Sequence, residues 1–118
     1  MATVTETQAF PLQASRDTIK VVWTPLTTTN ADGSPFTVAY YKDRSIQVNG
    51  TFGVGGSCSI EGSMDGTNYY TLTDPQGNAL TFTAAKIEAV SELVLYIRPR
   101  VTAGDGTTSL TVSLIAGK

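Results

Sequence analysis

The chain has 118 residues and a formal charge of −2, with 8 lysines and arginines, 10 aspartates and glutamates, and no histidine. This length suits one domain with one core, and 41% hydrophobic with 15% charged residues is typical of a globular protein. Because positive side chains are not in excess, the composition excludes nucleic acid as the main partner.

The first segment, residues 1–15, is polar, is interrupted by Pro11 and lacks sustained hydrophobic periodicity. It is therefore predicted to be an extended N-terminal arm that becomes ordered on a partner, followed by one domain over residues 16–118. The arm lacks the basic and apolar regions of a signal peptide, and no stretch approaches the ~20 apolar residues of a membrane span. We expect synthesis in the cytoplasm of a host cell, without secretion and without a membrane partner.

Alternating apolar and polar residues predict a strand at Thr18–Thr24, which Pro25 ends. The side chains predicted to face the core from this strand are Ile19, Val21 and Trp23. Further strands are predicted where alternating segments lie between turn-forming residues: Phe36–Tyr41, Arg44–Phe52, Ser57–Ser63, Tyr69–Thr73, Ala79–Thr83, Leu93–Val101 and Ser109–Ile115.

One segment, Lys86–Val90, is ambiguous, because Ile87 and Val90 fit a single helical turn as well as a strand. A strand or irregular structure is favoured. Together the elements predict an all-β fold, a single antiparallel β-sandwich of about eight strands, for which a jelly roll is one possible arrangement.

The residues that could support catalysis do not form a recognisable set. Cys58 has no histidine to act as its base, and its place in an alternating strand favours a small, partly buried side chain. Glu61 with Asp65, and Glu88 with Glu92, are separated along single segments, whereas acid–base pairs need convergence from separate strands. The sequence predicts neither enzymatic activity nor a cofactor.

Two turns carry residue types found in ligand sites. Asp65–Asn68 offers oxygen atoms of the kind that calcium prefers, but Asp-Gly is commoner as plain hairpin chemistry, and the spacing of an EF-hand is absent. Gly53–Gly56 is followed by neither a lysine nor a helix, so it does not fit a phosphate-binding loop. No metal site is predicted.

Adjacent tyrosines, Tyr40 with Tyr41 and Tyr69 with Tyr70, must point to opposite faces of their strands. One of each pair is expected in the core, and the other is left for a protein interface, a sugar-stacking surface or plain exposure to solvent. Trp23 is assigned either to the core or to a subunit contact.

Arg98 and Arg100 flank Pro99 on one strand face. They are candidates for ion pairs between subunits, with a solvated face as the alternative interpretation.

Four segments within Ser45–Leu114 carry a resemblance to a known class of proteins. They are Ile46–Phe52, Ile60–Asn68, Leu72–Asn78 and Tyr96–Pro99. This part of the chain resembles small structural proteins of tailed bacteriophages, of the capsid decoration or cement type. The resemblance implies a virion protein on the outer surface of the head that binds the major capsid protein, stabilises contacts between capsomers and forms a homotrimer.

Under this hypothesis the arm contacts the capsid through Thr3, Val4, Phe10 and Leu12. The subunit interface is then formed by the aromatic and basic candidates, Trp23, Tyr40, Tyr41, Arg98 and Arg100.

The turn Ser63–Tyr69 also resembles the Ser-x-Asp-Gly-x-x-aromatic hairpin of discoidin-like carbohydrate-binding jelly rolls, although that aromatic residue is often tryptophan. Tyr69 and Tyr70 would then contact a sugar or another surface partner. A virion carbohydrate- or receptor-binding module is therefore an alternative function, and a tail or baseplate accessory protein is another.

Overall fold

A computed structural model describes residues 3–11 and 17–118. Over these ranges the chain forms ten β-strands and no helix, and accordingly no helix that could cross a membrane. The strands are β1 (Thr7–Ala9), β2 (Thr18–Leu26), β3 (Phe36–Thr37), β4 (Asp43–Thr51), β5 (Ser57–Ser63), β6 (Tyr70–Thr71), β7 (Thr81–Phe82), β8 (Lys86–Ala89), β9 (Tyr96–Ala103) and β10 (Ser109–Gly117).

The strands form two antiparallel sheets that face each other across one core. The larger sheet has the order β1-β2-β10-β4-β8, and the smaller has the order β3-β9-β5-β6, with β7 also paired to β5. The predicted all-β sandwich is therefore confirmed, with ten strands in place of about eight; β3, β6 and β7 are shorter than predicted, and β2 and β10 are longer.

The pairing is that of a long antiparallel ribbon folded over on itself. Within the ribbon β2 pairs with β10, β3 with β9, β4 with β8, and β5 with both β6 and β7. Successive pairs fall alternately in the two sheets, which are completed by β10 beside β4 and β9 beside β5. This is the strand order of a jelly roll, the arrangement that the sequence left open.

The core is built from the inward-facing residues of both sheets. Trp23 and Val48 are fully buried in the larger sheet, and Ile60 and Ile97 are fully buried in the smaller one. Cys58 is also fully buried, and burial raises the pKa of its thiol to about 12. Burial along β2, β4 and β10 largely follows the period of two expected for strands with one face on a core, whereas β5 is buried on both faces from Cys58 to Ser63.

The prediction that Pro25 ends its strand is wrong, because β2 continues to Leu26. The peptide bond before Pro25 is cis, and the register between β2 and β10 shifts between Leu110 and Val112. A proline has no N–H to donate, and an irregular stretch of the ladder is where a strand accommodates one.

The ambiguous segment after β7 forms the edge strand β8. Ile87 and Glu88 pair with Gln47 and Ile46 of β4, which gives the segment backbone partners that a single helical turn would lack. The sequence of this segment fits a helical turn as well as a strand, and its pairing with β4 makes it a strand.

The segment predicted as a free arm lies partly on its own domain. β1 pairs with β2 at the edge of the larger sheet, and the amide of Val4 donates to the carbonyl of Asp32 at 2.8 Å. Val4 and Phe10 pack against the core. An edge strand of three residues has no periodicity to detect, which explains why the sequence did not predict it.

Asp105 ties together two hairpin loops at the end of the sandwich where β4 meets β5. Its carboxylate accepts hydrogen bonds from the backbone and hydroxyl groups of Thr107 and, at 2.9 Å, from the amide of Val54. The hydroxyl of Thr107 first, and then these amides, lower the pKa of Asp105 to about 2.

We expect Asp105→Asn to lower the melting temperature at neutral pH, because the NH₂ group that replaces one carboxylate oxygen cannot accept the hydrogen bonds made to that oxygen. A depressed pKa stabilises the fold above the unfolded value of about 3.9, and this contribution is lost as the pH falls toward the folded value. The difference in melting temperature between wild type and variant should therefore shrink between about pH 4 and pH 2. Asp43→Asn, at an exposed position on β4, is the matched control; a constant difference for Asp105→Asn would contradict the assignment.

Candidate functional site

Three connections lie together at one end of the sandwich, which we call the loop end: residues 38–42, 64–70 and 90–95. The jelly-roll order places them there, since each follows a strand running in the same direction. Backbone bonds join them, because the amide of Val38 donates to the carbonyl of Leu95 at 2.9 Å and the amide of Leu95 donates to the carbonyl of Ser63 at 3.1 Å.

The loop end carries most of the exposed large apolar side chains. Eight such side chains are exposed among the described residues. Five of them lie at the loop end: Tyr40, Met64, Tyr70, Leu93 and Leu95. Singly exposed apolar residues are ordinary, so it is the number at one end that makes the loop end the candidate interaction surface.

Arg44 braces two of the three connections. Its side chain is buried, and its guanidinium donates to the carbonyls of Tyr41 at 2.9 Å, Glu92 at 2.7 Å and Val38 at 3.2 Å. Burial lowers the pKa of Arg44. Three carbonyls that would otherwise be poorly solvated are thereby satisfied by one cation, which holds the loops in a single arrangement.

Tyr40 is an exposed aromatic side chain on a rigid base. It is 64% exposed, whereas Tyr41 is buried and meets it edge-on with ring centroids 5.1 Å apart. The ammonium of Lys118 lies 4.4 Å from the centroid of the Tyr40 ring. A ring fixed in this way loses little conformational freedom on binding, which favours its use as a contact residue.

The turn after β5 is organised by Asp65. Its Oδ1 atom accepts hydrogen bonds from the amides of Thr67 and Asn68, both at 2.8 Å, and from the hydroxyl of Ser63 at 2.9 Å. These bonds, that from the Asn68 amide first, hold the pKa of Asp65 well below its usual range. Both carboxylate oxygens accept hydrogen bonds from groups of the turn itself, as expected for a plain hairpin turn.

Beside this turn is a shallow groove of about 290 Å³. Its walls include Met64 and Tyr70, and Leu72 and Val94 lie at its base. Apolar walls with an exposed aromatic ring suit an apolar side chain or the flat face of a sugar.

Comparisons with known proteins bear on the fold. No protein-family model matches the chain, and neither does any curated protein. Among solved structures, the SPBc2 prophage-derived protein YomS is similar, with a TM-score of 0.63 and 12% sequence identity over 86% of this chain and 95% of that one. The shared fold is what this similarity shows.

Two of the predicted subunit contacts are core residues instead. Trp23 is 0% exposed and its Nε1 atom donates to the carbonyl of Ser34 at 2.9 Å, while Tyr41 is buried beneath Tyr40. Neither side chain can meet another subunit while the domain stays folded. The prediction is corrected for these two, and Tyr40 keeps its place at the surface.

The side chain of Arg98 binds residues of its own subunit, on and beside the neighbouring strand β5. Its Nε atom lies 3.1 Å from Oε1 of the buried Glu61, and its guanidinium carbon lies 3.8 Å above the ring of Tyr69. Burial raises the pKa of Tyr69, whose hydroxyl has no hydrogen-bond partner among the described residues. One face of the Tyr69 ring is therefore covered by Arg98, and a sugar contact through Tyr69 stays a prediction.

Arg100 remains half exposed beside this pair. Its nearest carboxylate oxygens belong to Asp32, at 3.5 Å, and Glu61, at 3.8 Å. Ion pairs of this length on a solvated face contribute little to stability. A contact between subunits through Arg100 stays a prediction.

Of the predicted capsid contacts, Thr3 is exposed, Val4 and Phe10 are half buried against the chain's own core, and Leu12 lies outside the described residues. Sequence reasoning did not select Arg44, Met64, Leu93 or Leu95. The one available signal was Met64, an apolar residue inside an otherwise polar turn.

Proposed function

We propose that this protein is a non-enzymatic structural component of a bacteriophage virion that decorates the outer surface of the head. In this proposal it binds the major capsid protein and stabilises contacts between capsomers, as the sequence resemblance implies. The similarity in fold to a prophage-derived protein supports an origin in a phage.

The concentration of exposed Tyr40, Met64, Tyr70, Leu93 and Leu95 at the loop end carries the proposal. Large apolar and aromatic side chains on a preorganised base are the usual centre of a protein interface. We therefore assign attachment to the loop end, in place of the predicted arm. Many weak contacts of this kind would sum to durable attachment on a symmetric shell.

Binding to heads that lack the protein tests this proposal. We expect Leu93→Ala and Tyr40→Ala each to weaken binding by about tenfold or more, as central interface residues do. Val54→Ala is the matched control, because Val54 is 82% exposed but lies on the 53–56 hairpin, away from the loop end. Co-sedimentation of purified protein with purified heads measures the loss.

If every loop-end variant binds heads as tightly as the wild type does, the loop end is not the attachment surface. No binding of wild-type protein to heads at any concentration would reject decoration itself. Labelling of intact particles then distinguishes a tail or baseplate location from a head location.

A carbohydrate- or receptor-binding role is the second candidate, and the groove beside Tyr70 favours it. Since one face of the Tyr69 ring is covered by Arg98 and Tyr70 is 72% exposed, stacking on a sugar would depend mainly on Tyr70. Glycan binding lost in Tyr70→Ala but retained in Leu93→Ala would support this role.

A further inference from the structure

The strand β8 ends the larger sheet, and part of its backbone has no partner among residues 3–11 and 17–118. The amide of Val90 donates to the carbonyl of Arg44 at 3.1 Å, which makes these two residues a hydrogen-bonded pair of the ladder between β8 and β4. Hydrogen-bonded and non-hydrogen-bonded pairs alternate along an antiparallel ladder. Ile87, opposite Gln47, and Ala89 therefore direct their N–H and C=O groups away from β4, toward the open side of the sheet.

This edge is accessible to another chain. Of the strands that end the two sheets, β1, β8, β3 and β6, β8 is the longest. Every residue from Thr83 to Ile87 is exposed, and Ile87 itself is 62% exposed. A row of unpaired N–H and C=O groups is a template for an extended polypeptide, so the occupant that fits this edge is another strand.

The charges of β8 complement those of a second β8 strand. Residues 85–89 read Ala-Lys-Ile-Glu-Ala, so Lys86 and Glu88 lie at equal distances on either side of Ile87. When two copies pair antiparallel about a two-fold axis at Ile87, Lys86 of each copy lies opposite Glu88 of the other. The adjacent registers that the backbone allows place Glu88 opposite Glu88, or Lys86 opposite Lys86. Since like charges directly opposite are destabilising, the charges select the first register.

We infer that β8 pairs in this register with β8 of a second copy of the chain, which joins two five-stranded sheets into one of ten strands. Ile87 lies on the two-fold axis and exchanges both backbone hydrogen bonds with Ile87 of the other copy, and Ala85 of each copy pairs with Ala89 of the other. The side chains of the two Ile87 residues meet on the outer face of the joined sheet, which covers surface that is exposed in the single copy.

The four charged side chains at the axis form an alternating ring. Within one copy Nζ of Lys86 lies 2.7 Å from Oε2 of Glu88, and the second copy adds an opposite charge across from each of them. The hydrogen bond to Glu88 first, and more weakly the charge of Asp74, raise the pKa of Lys86, so its ammonium stays charged. Lys20 is three strands away from β8. Seven strand spacings, about 33 Å, therefore separate its two copies, which is well beyond the screening length of about 8–10 Å.

The contact is small, so we expect the association to be weak. Five residues of a strand extend about 17 Å, and their pairing buries much less than the roughly 800 Å² per partner of a stable interface. A dissociation constant of about 0.1–1 mM is expected. The paired residues lie outside the loop end and the contact requires no head, so its test is independent of the proposed attachment.

Charge reversal tests the register. Sedimentation equilibrium of the purified chain, 12.5 kDa as a monomer, at up to about 1 mM measures the association. Lys86→Glu and Glu88→Lys should each weaken it at least about tenfold, because each places like charges opposite each other twice. An equimolar mixture of the two variants should associate as the wild type does, since every introduced charge then lies opposite one of the other sign. The double reversal, Lys86→Glu with Glu88→Lys, should also associate like the wild type.

A disulfide tests the position of the two-fold axis. The Cα atoms of a hydrogen-bonded antiparallel pair are about 5.5 Å apart, within the range that a disulfide can span. Ile87→Cys should therefore form a covalent dimer on mild oxidation, at least about tenfold faster than Gln47→Cys. Gln47 is the matched control, because it is exposed opposite Ile87 on β4 but lies three strand spacings, about 14 Å, from its own copy across the axis. Cys58 is buried and does not compete.

Circular dichroism shows whether each variant keeps its fold, and if one reversal unfolds the chain, the disulfide measurement still tests the pairing. A wild type that stays monomeric at about 1 mM would overturn the inference, as would association that survives both single reversals. Failure of the mixture to associate, with both single variants folded, would reject the two-fold register. Equal rates of disulfide formation in Ile87→Cys and Gln47→Cys would reject the axis at Ile87.

Discussion

Trp23→Ala is expected to lower the free energy of unfolding by about 3–5 kcal/mol, the cost of removing a large aromatic side chain from a close-packed core. Trp23 is fully buried, and Gly33 lies so close that a Cβ there would be 2.7 Å from the indole. The substitution leaves a cavity and also leaves the carbonyl of Ser34 without its indole donor. Urea unfolding followed by far-ultraviolet circular dichroism measures the change.

Trp23→Phe is the matched control, because it keeps an aromatic ring but loses the indole N–H. It should cost less than Trp23→Ala, and neither variant should alter the association of the protein at temperatures where it stays folded. A full loss of association with little loss of stability would restore Trp23 to a subunit interface and contradict its burial here.

Arg44→Met is expected to lower the free energy of unfolding by about 3 kcal/mol or more. The substitution keeps much of the aliphatic stem, but it leaves the carbonyls of Val38, Tyr41 and Glu92 without their donor, at about 1–3 kcal/mol for each buried group that water cannot reach. Thermal and urea unfolding both measure this loss.

Arg44→Lys provides the control, since an ammonium retains the charge but cannot span three carbonyls in the fork geometry of a guanidinium. It should be intermediate between wild type and Arg44→Met. Equal stability of the methionine variant and wild type would show that the three carbonyls find other partners. Under the proposed attachment through the loop end, both variants should bind heads more weakly at temperatures where the domain remains folded, because Arg44 positions the loop that carries Tyr40.

The central strands could be predicted because their pattern is local. In β2 and β10 apolar residues alternate with polar ones over long runs, and the structure buries Val21, Trp23, Val112 and Leu114 as expected. The short strands β3, β6 and β7 lie inside segments that the alternation predicted, but each covers only two residues of its segment. The three-residue strand β1 was not predicted, because it is too short to show a period and depends on β2 for its backbone partners.

The candidate site was less accessible to sequence reasoning. Leu93 and Leu95 were assigned to a strand, whereas β9 begins at Tyr96 and leaves both in a loop with exposed side chains. They lie near Tyr40 because segments that are distant along the chain are paired, as Val38 is with Leu95. This proximity cannot be predicted from the spacing of residues in the sequence. Arg44 was predicted only as the first residue of a strand, because bonds to three backbone carbonyls leave no signature in the sequence.

The nested pairing of the ribbon also determines when this chain can fold during synthesis. β2, which carries Trp23, pairs along one edge with β1 and along the other with β10, and the second pairing runs from Thr18 with Gly117 to Leu26 with Leu110. At ribosomal rates of about 5–20 residues per second, β2 waits roughly 5 to 20 s for β10. Throughout that interval one edge of an apolar strand lacks its partner, so slow translation before β10 is expected to favour aggregation over folding.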